Sequence, residues 1–164
     1  MNALKFEKSI QKYLRIAFLL LLMLIFLVDH VDAYNISNCT IIDSPGVYVL
    51  IENVTDETST CIQIISSDVV FNGNGHTIDG VDSLGTYGIH VHNLTIQNVT
   101  VNNVIVTDWE YGVAFESVNN SEMSNIIGNS NEAGIYLHNS SLNTLNNNTL
   151  SSNSCGIVLQ NSSF

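Results

Sequence analysis

The phrase YGIHVHN at 87–93 returns as YGVAFES at 111–117, AGIYLHN at 133–139 and CGIVLQN at 155–161. Its glycines, Gly88, Gly112, Gly134 and Gly156, stand 24, 22 and 22 residues apart. A fixed period of this length marks a solenoid, in which each repeat buries its apolar face only against its neighbours. Within the phrase apolar residues alternate, Ile89 and Val91, Val113 and Phe115, Ile135 and Leu137, Ile157 and Leu159. A period of two is a strand with those side chains inward and His90, Ala114, Tyr136 and Val158 outward. The same parity carries Asn93, Ser117, Asn139 and Asn161 inward, where stacked amides bond coil to coil and leave no room for a glycan. Each glycine is expected to serve a tight corner with positive φ. A helical solenoid needs apolar residues at 3.6 spacing, and the Asn, Ser and Thr between them form helices poorly. The fold class is therefore all-β, a single-stranded parallel β-helix with coils of 22–24 residues stacked about 4.8 Å apart.

Upstream, residues 1–33 read as an export signal. Lys5, Lys8, Lys12 and Arg15 precede an apolar run from Ile16 to Val28, and Val31, Asp32 and Ala33 precede a cut at Tyr34. The run is shorter than the about 20 residues that span a bilayer. Uncut, it would tether the β-helix domain, 34–164, to a membrane. Those four basic residues are the only Lys and Arg in the chain. Residues 34–164 keep twelve of the fifteen carboxylates, since Glu7, Asp29 and Asp32 lie in the signal. With nothing to neutralise phosphates, nucleic acid is excluded as a partner. An acidic surface attracts divalent cations, so copper, zinc and calcium are the candidate cofactors.

Between the signal and the first phrase, 36–42 and 47–51 read as strands around a turn at 43–46. Residues 53–60 read as a loop, 61–65 and 69–71 as strands, and 72–75 as a tight turn. The chain ends three residues after the fourth phrase with no cap over the last coil, as expected of a truncated form of a longer repeat protein. Cys39 and Cys61 are 22 residues apart, one period, which would place them on adjacent coils. An exported protein favours a bridge between them over two buried thiols, and Cys155 is left free. Of nine N-x-[ST] sequons, Asn35, Asn38 and Asn53 are the plausible glycan acceptors.

Two clusters carry candidate chemistry. Asp108, Trp109, Glu110 and Tyr111 put aromatic rings beside carboxylates at the corner entering a strand, an arrangement that suits sugar rings, although covering the corner of the core is the stronger reading of Trp109. In the outward column His92, Glu116, His138 and Gln160 follow one another, with His90 two residues before His92. In-register stacking would bring His90, His92 and Glu116 within reach of one Cu²⁺ or Zn²⁺ ion, with His138 one coil further.

The run DVVFNGNGHTIDG at 68–80, with GIHVHN and GIYLHNSSLNTLNNNTLSSNSCGI downstream, resembles the right-handed parallel β-helix proteins of the NosD type, including archaeal cell-surface examples. The entry segment ISNCTIIDSPGVYVL and TCIQI is similar to theirs, so the resemblance covers nearly all of 34–164. It implies an extracytoplasmic protein, secreted, periplasmic or on the cell surface, and three roles. One is a scaffold or binding module for carbohydrate, with cell-surface polysaccharide or surface-layer components as partners. The second is a copper-handling accessory protein like NosD, and the third a polysaccharide hydrolase or lyase. Lyases of this fold use an Arg or Lys base, and 34–164 has neither, so no catalytic residue is assigned. A fold of this kind does not carry activity with it.

Overall fold

The computed structural model describes residues 11–18 and 32–163. Residues 11–18 are helical, and no described helix is long and apolar enough to cross a membrane. Most of the expected export signal lies outside the described residues.

The strands run in chain order β1 (Ala33–Ile36), β2 (Thr40–Ile42), β3 (Gly46–Leu50), β4 (Val54–Glu57), β5 (Ile62–Ile64), β6 (Val69–Asn72), β7 (Thr77–Gly80) and β8 (Tyr87–Gln97). They continue with β9 (Val99–Thr107), β10 (Tyr111–Asn119), β11 (Glu122–Asn129), β12 (Ala133–His138), β13 (Thr144–Asn146), β14 (Thr149–Ser151) and β15 (Cys155–Gln160). The strand pairs are parallel, and one sheet has the order β2-β5-β8-β10-β12-β15. Each of its six strands comes from a successive coil, so the chain is a parallel β-solenoid of six turns. The second sheet follows β1-β3-β6-β9-β11-β13, with β4, β7 and β14 alongside.

The four phrases stack in register, Tyr111 opposite Tyr87 and Ala133, and Ala133 opposite Cys155. Ile89, Val91, Val113, Phe115, Ile135 and Leu137 are fully buried, as the alternation requires, whereas Ile157 and Leu159 on the edge strand β15 are 47% and 43% exposed. Cys39 and Cys61 are joined by a disulfide across neighbouring coils, and Cys155 is free and exposed. Closing a 22-residue separation in this way stabilises the fold by about 2–4 kcal/mol.

Four expectations are corrected. Residues 54–57 are a strand, not loop, because Val54 is buried in register with Ile78 and the ladder overrides a polar sequence. Gly88, Gly112, Gly134 and Gly156 are absent from the positive-φ residues, and the first three are glycine for space, whereas a Cβ on Gly156 would meet nothing closer than 3.9 Å. A Cβ on Gly88 would sit 2.7 Å from the Gly112 carbonyl oxygen, and one on Gly112 2.7 Å from that of Gly134. Asn139 and Asn161 are exposed just past the ends of β12 and β15, where the chain turns with φ of 49° and 52°, and Asn93 is exposed within β8, where the inward–outward alternation breaks after His92. Outward Ala114 is fully buried between its register partners His90 and Tyr136.

The side chains that fill the inner corners come from a different set. Asn131 accepts from Trp109 N and donates to Val106 O, at sequence offsets of 22 and 25. Asn143 pairs with Ser121 N and Val118 O, Asn148 with Ile126 N and Met123 O, and Asn153 with Asn131 N and Gly128 O, at the same offsets. Ser140 does the same with its hydroxyl, taking Val118 N and giving to Phe115 O. Where the backbone leaves the strand ladder to turn, its N–H and C=O lose their partners. The following coil returns both through one side chain, which satisfies groups that would be costly to bury unpaired.

The outer corners use left-handed residues in columns. Asn98 and Asn120 have φ of 55° and 49°, as suits asparagine, and Leu142 continues their column at 58° with 65% exposure. Leucine has no local hydrogen bond to offset this conformation. Leu142→Asn is expected to stabilise the protein by about 1 kcal/mol, read as an increased urea midpoint. A lowered midpoint would show that Leu142 earns its place by packing.

Candidate functional sites

The outer face of the six-stranded sheet carries an aromatic and imidazole ladder. Strand pairing sets Glu116 of β10 opposite His92 of β8 and His138 of β12, and His138 opposite Gln160 of β15. Tyr87 stacks on His90 with ring centroids 3.9 Å apart and an interplanar angle of 6°. His90 in turn stacks on His92 at 4.1 Å. Tyr111 lies 5.1 Å from Tyr87 and 4.7 Å from Tyr136, and Tyr136 lies 6.2 Å from His138. The tyrosines thus turn their faces largely to one another along the stack.

Glu116 is held from two sides. The Tyr87 hydroxyl donates to its Oε1 at 3.4 Å, and His90 Nε2 lies 3.3 Å from its Oε2. The second contact has ion-pair distance without hydrogen-bond geometry, so His90 Nε2 is buried with no hydrogen-bond partner. His92 Nε2 is buried and unpartnered as well. Burial first, and the neighbouring His92 second, hold the His90 imidazole down to about 4 against the upward pull of Glu116. At neutral pH it is therefore an uncharged ring with a free lone pair. Burial, then Glu116, raises the Tyr87 phenol above its ordinary value, which keeps it a donor. Among the described residues no three His, Cys, Asp or Glu side chains already surround one ion position. His138 is set apart from His90, stacking on Tyr136 one coil beyond Glu116.

The second site is a groove of about 560 Å³ along a corner of the stack, whose lining includes Asp82, Asp108, Trp109, Glu110, Ser130 and Glu132. Three of the four residues expected to bind carbohydrate lie here. Tyr111 does not; it belongs to the ladder on the outer sheet face. Trp109 has no exposed surface, its Nε1 donates to Ile78 O at 3.0 Å, and so it is the floor of the corner and not a stacking platform. Glu110 accepts a hydrogen bond from Gly85 N. Asp108 is raised above the usual carboxylate range by burial, then by Asp82 and Asp79. Ser130 and Glu132 escape a reading of local sequence, yet they stand one period after Asp108 and Glu110, so the repeat itself could have found them.

The three expected glycan acceptors, Asn35, Asn38 and Asn53, are exposed. Asn53 Oδ1 accepts from Thr77 N at 3.0 Å, which fixes its side chain.

The chain is thus a parallel β-solenoid with an imidazole-bearing outer sheet face and a polar corner groove. The family model described as "Periplasmic copper-binding protein (NosD)" matches residues 32–164, and the chain belongs to that family. Comparison with curated proteins and with solved structures gives no match.

Proposed function

We propose that this chain works outside the cytoplasm as a rigid β-helix binding module, and that its corner groove takes a neutral carbohydrate. The groove carries this reading: carboxylates and serine hydroxyls repeat along it at the coil spacing, offering acceptors and donors to successive sugar hydroxyls. Its acidity repels uronic-acid polymers, and the absence of Lys and Arg from 34–164 leaves nothing to hold their carboxylates. Asp108→Asn tests it, since asparagine tolerates the φ of 61° at that position and removes only the charge. Titration with neutral oligosaccharides should show binding that weakens about tenfold in Asp108→Asn combined with Glu132→Gln, the cost of about 1.4 kcal/mol in charge-assisted hydrogen bonds. Equal affinity for polygalacturonate would overturn it.

A second reading, copper handling, is favoured by the family's description and by the two unpartnered imidazole nitrogens on the outer sheet face. The donor set suits Cu²⁺, which takes imidazole and carboxylate.

A further inference from the structure

Resting on the copper reading, we propose that His90, His92 and Glu116 form the Cu²⁺ site of this chain, and that Tyr87 is its positioning residue. The contact between His90 Nε2 and Glu116 Oε2 is the first observation. The two atoms are 3.3 Å apart without hydrogen-bond geometry. Two donors about 2.0 Å from one ion subtend an angle of about 110° when they are 3.3 Å apart, an ordinary ligand–metal–ligand angle. The pair is spaced as two ligands of a single ion would be.

The third donor is His92, whose ring stacks on His90 at 4.1 Å and whose Nε2 is likewise buried without a partner. The ring reaches the ion by turning about its side-chain bonds, since its face now lies against that of His90. Strand register holds it there, because His92 pairs directly with Glu116 across β8 and β10. An unpaired buried nitrogen costs free energy in the free protein, and an ion removes that cost at both rings.

Tyr87 touches both halves of the site. Its ring covers one face of His90 at 3.9 Å, and its hydroxyl holds the Glu116 oxygen that does not face His90. This leaves Oε2 turned to the imidazole. Tyr87 makes no donation to the ion; it sets the two groups that do, in the manner of outer-shell partners whose loss typically weakens metal binding about 10–100-fold.

The test is Cu²⁺ titration of the full chain by calorimetry, with electron paramagnetic resonance of the bound ion. One Cu²⁺ per chain is expected, with nitrogen hyperfine structure from two imidazoles. His92→Ala should weaken binding at least tenfold and remove one nitrogen. Tyr87→Phe, which keeps the ring and loses the hydroxyl, should weaken it about tenfold while the two-nitrogen signature survives. His76→Ala, at a distant corner, serves as the unchanged reference. Binding that is equal in wild type, His90→Ala, His92→Ala and Glu116→Gln would overturn the site and leave the copper reading standing. No binding by the wild type would overturn both. Affinity unchanged in Tyr87→Phe would remove Tyr87 from its role alone. Circular dichroism of each variant separates these outcomes from misfolding.

Discussion

Asn131→Ala is expected to lower the unfolding free energy by about 2–6 kcal/mol, a loss far beyond that of an ordinary polar truncation. The Asn131 amide is 3% exposed, and it serves two backbone groups of the preceding coil at once, Trp109 N at 3.1 Å and Val106 O at 3.1 Å. Alanine leaves both buried with no partner, and each such orphan costs about 1–3 kcal/mol. Neither group can find water, because Val106 and Trp109 are themselves fully buried. Asn131→Asp separates the two halves of the effect, for it keeps the acceptor for Trp109 N and loses the donor to Val106 O. Its cost should be the smaller unless the carboxylate is forced to bury its charge. Urea denaturation of both variants gives the comparison, with Asn146→Ala, an exposed position of β13 with ordinary strand backbone, as a variant expected to stay within about 0.5 kcal/mol. A loss under 1 kcal/mol for Asn131→Ala would mean that the corners do not depend on the next coil.

The corner rule shows where reading the chain as residues stops short. The alternation of Ile89, Val91, Val113 and Phe115 made the strand legible, because side chains on one strand must face opposite sides. The 22-residue spacing made the stacking register legible, and with it the pairing of His92 with Glu116 and the meeting of Cys39 with Cys61. The inward amides were misplaced at Asn139 and Asn161, since parity was carried past the end of the strand, and at Asn93, since three exposed residues in a row break the alternation within β8. Beyond the last ladder bond the backbone turns through a left-handed residue, and alternation no longer says which side is inside. The true inner amides, Asn131, Asn143, Asn148 and Asn153, lie where the chain re-enters the core, and only their shared offset of 22 to a corner N–H reveals them. The glycine column was legible as a column but not in its cause. Close approach of a carbonyl oxygen from the next coil is a distance between coils, and no single repeat contains it. The nearness of His90 and His92 to Glu116 was legible, whereas the separation of His138 and the clamp by Tyr87 were not. Tyr87 has the parity of the inward residues, and its ring nevertheless stacks on outward His90 just beyond the Gly88 corner.

Trp109→Ala should cost about 3–5 kcal/mol, the usual range for deleting a large buried aromatic side chain. The indole is fully buried and lies against two backbones that have no side chain of their own. A Cβ on Gly80 would come within 2.8 Å of Trp109 Cδ2, and one on Gly88 within 3.1 Å of Cδ1. The ring therefore occupies the volume that both glycines leave open, and the stack cannot easily close over its absence, since the coil spacing is held by strand ladders on both sheets. Alanine also leaves Ile78 O without the donor it now has in Nε1. Trp109→Phe restores part of the volume and not that hydrogen bond, so it should fall between wild type and alanine in urea denaturation. The location of the damage separates the two proposed sites. Trp109 is the floor of the corner groove, whereas His90, His92 and Glu116 stand on the outer sheet face, held by the β8 and β10 register. A folded Trp109→Phe protein should accordingly lose affinity for neutral oligosaccharide and keep its affinity for Cu²⁺. Equal losses of both ligands would show that the variant loosens the whole stack, and unchanged carbohydrate binding would remove the corner groove as the sugar site.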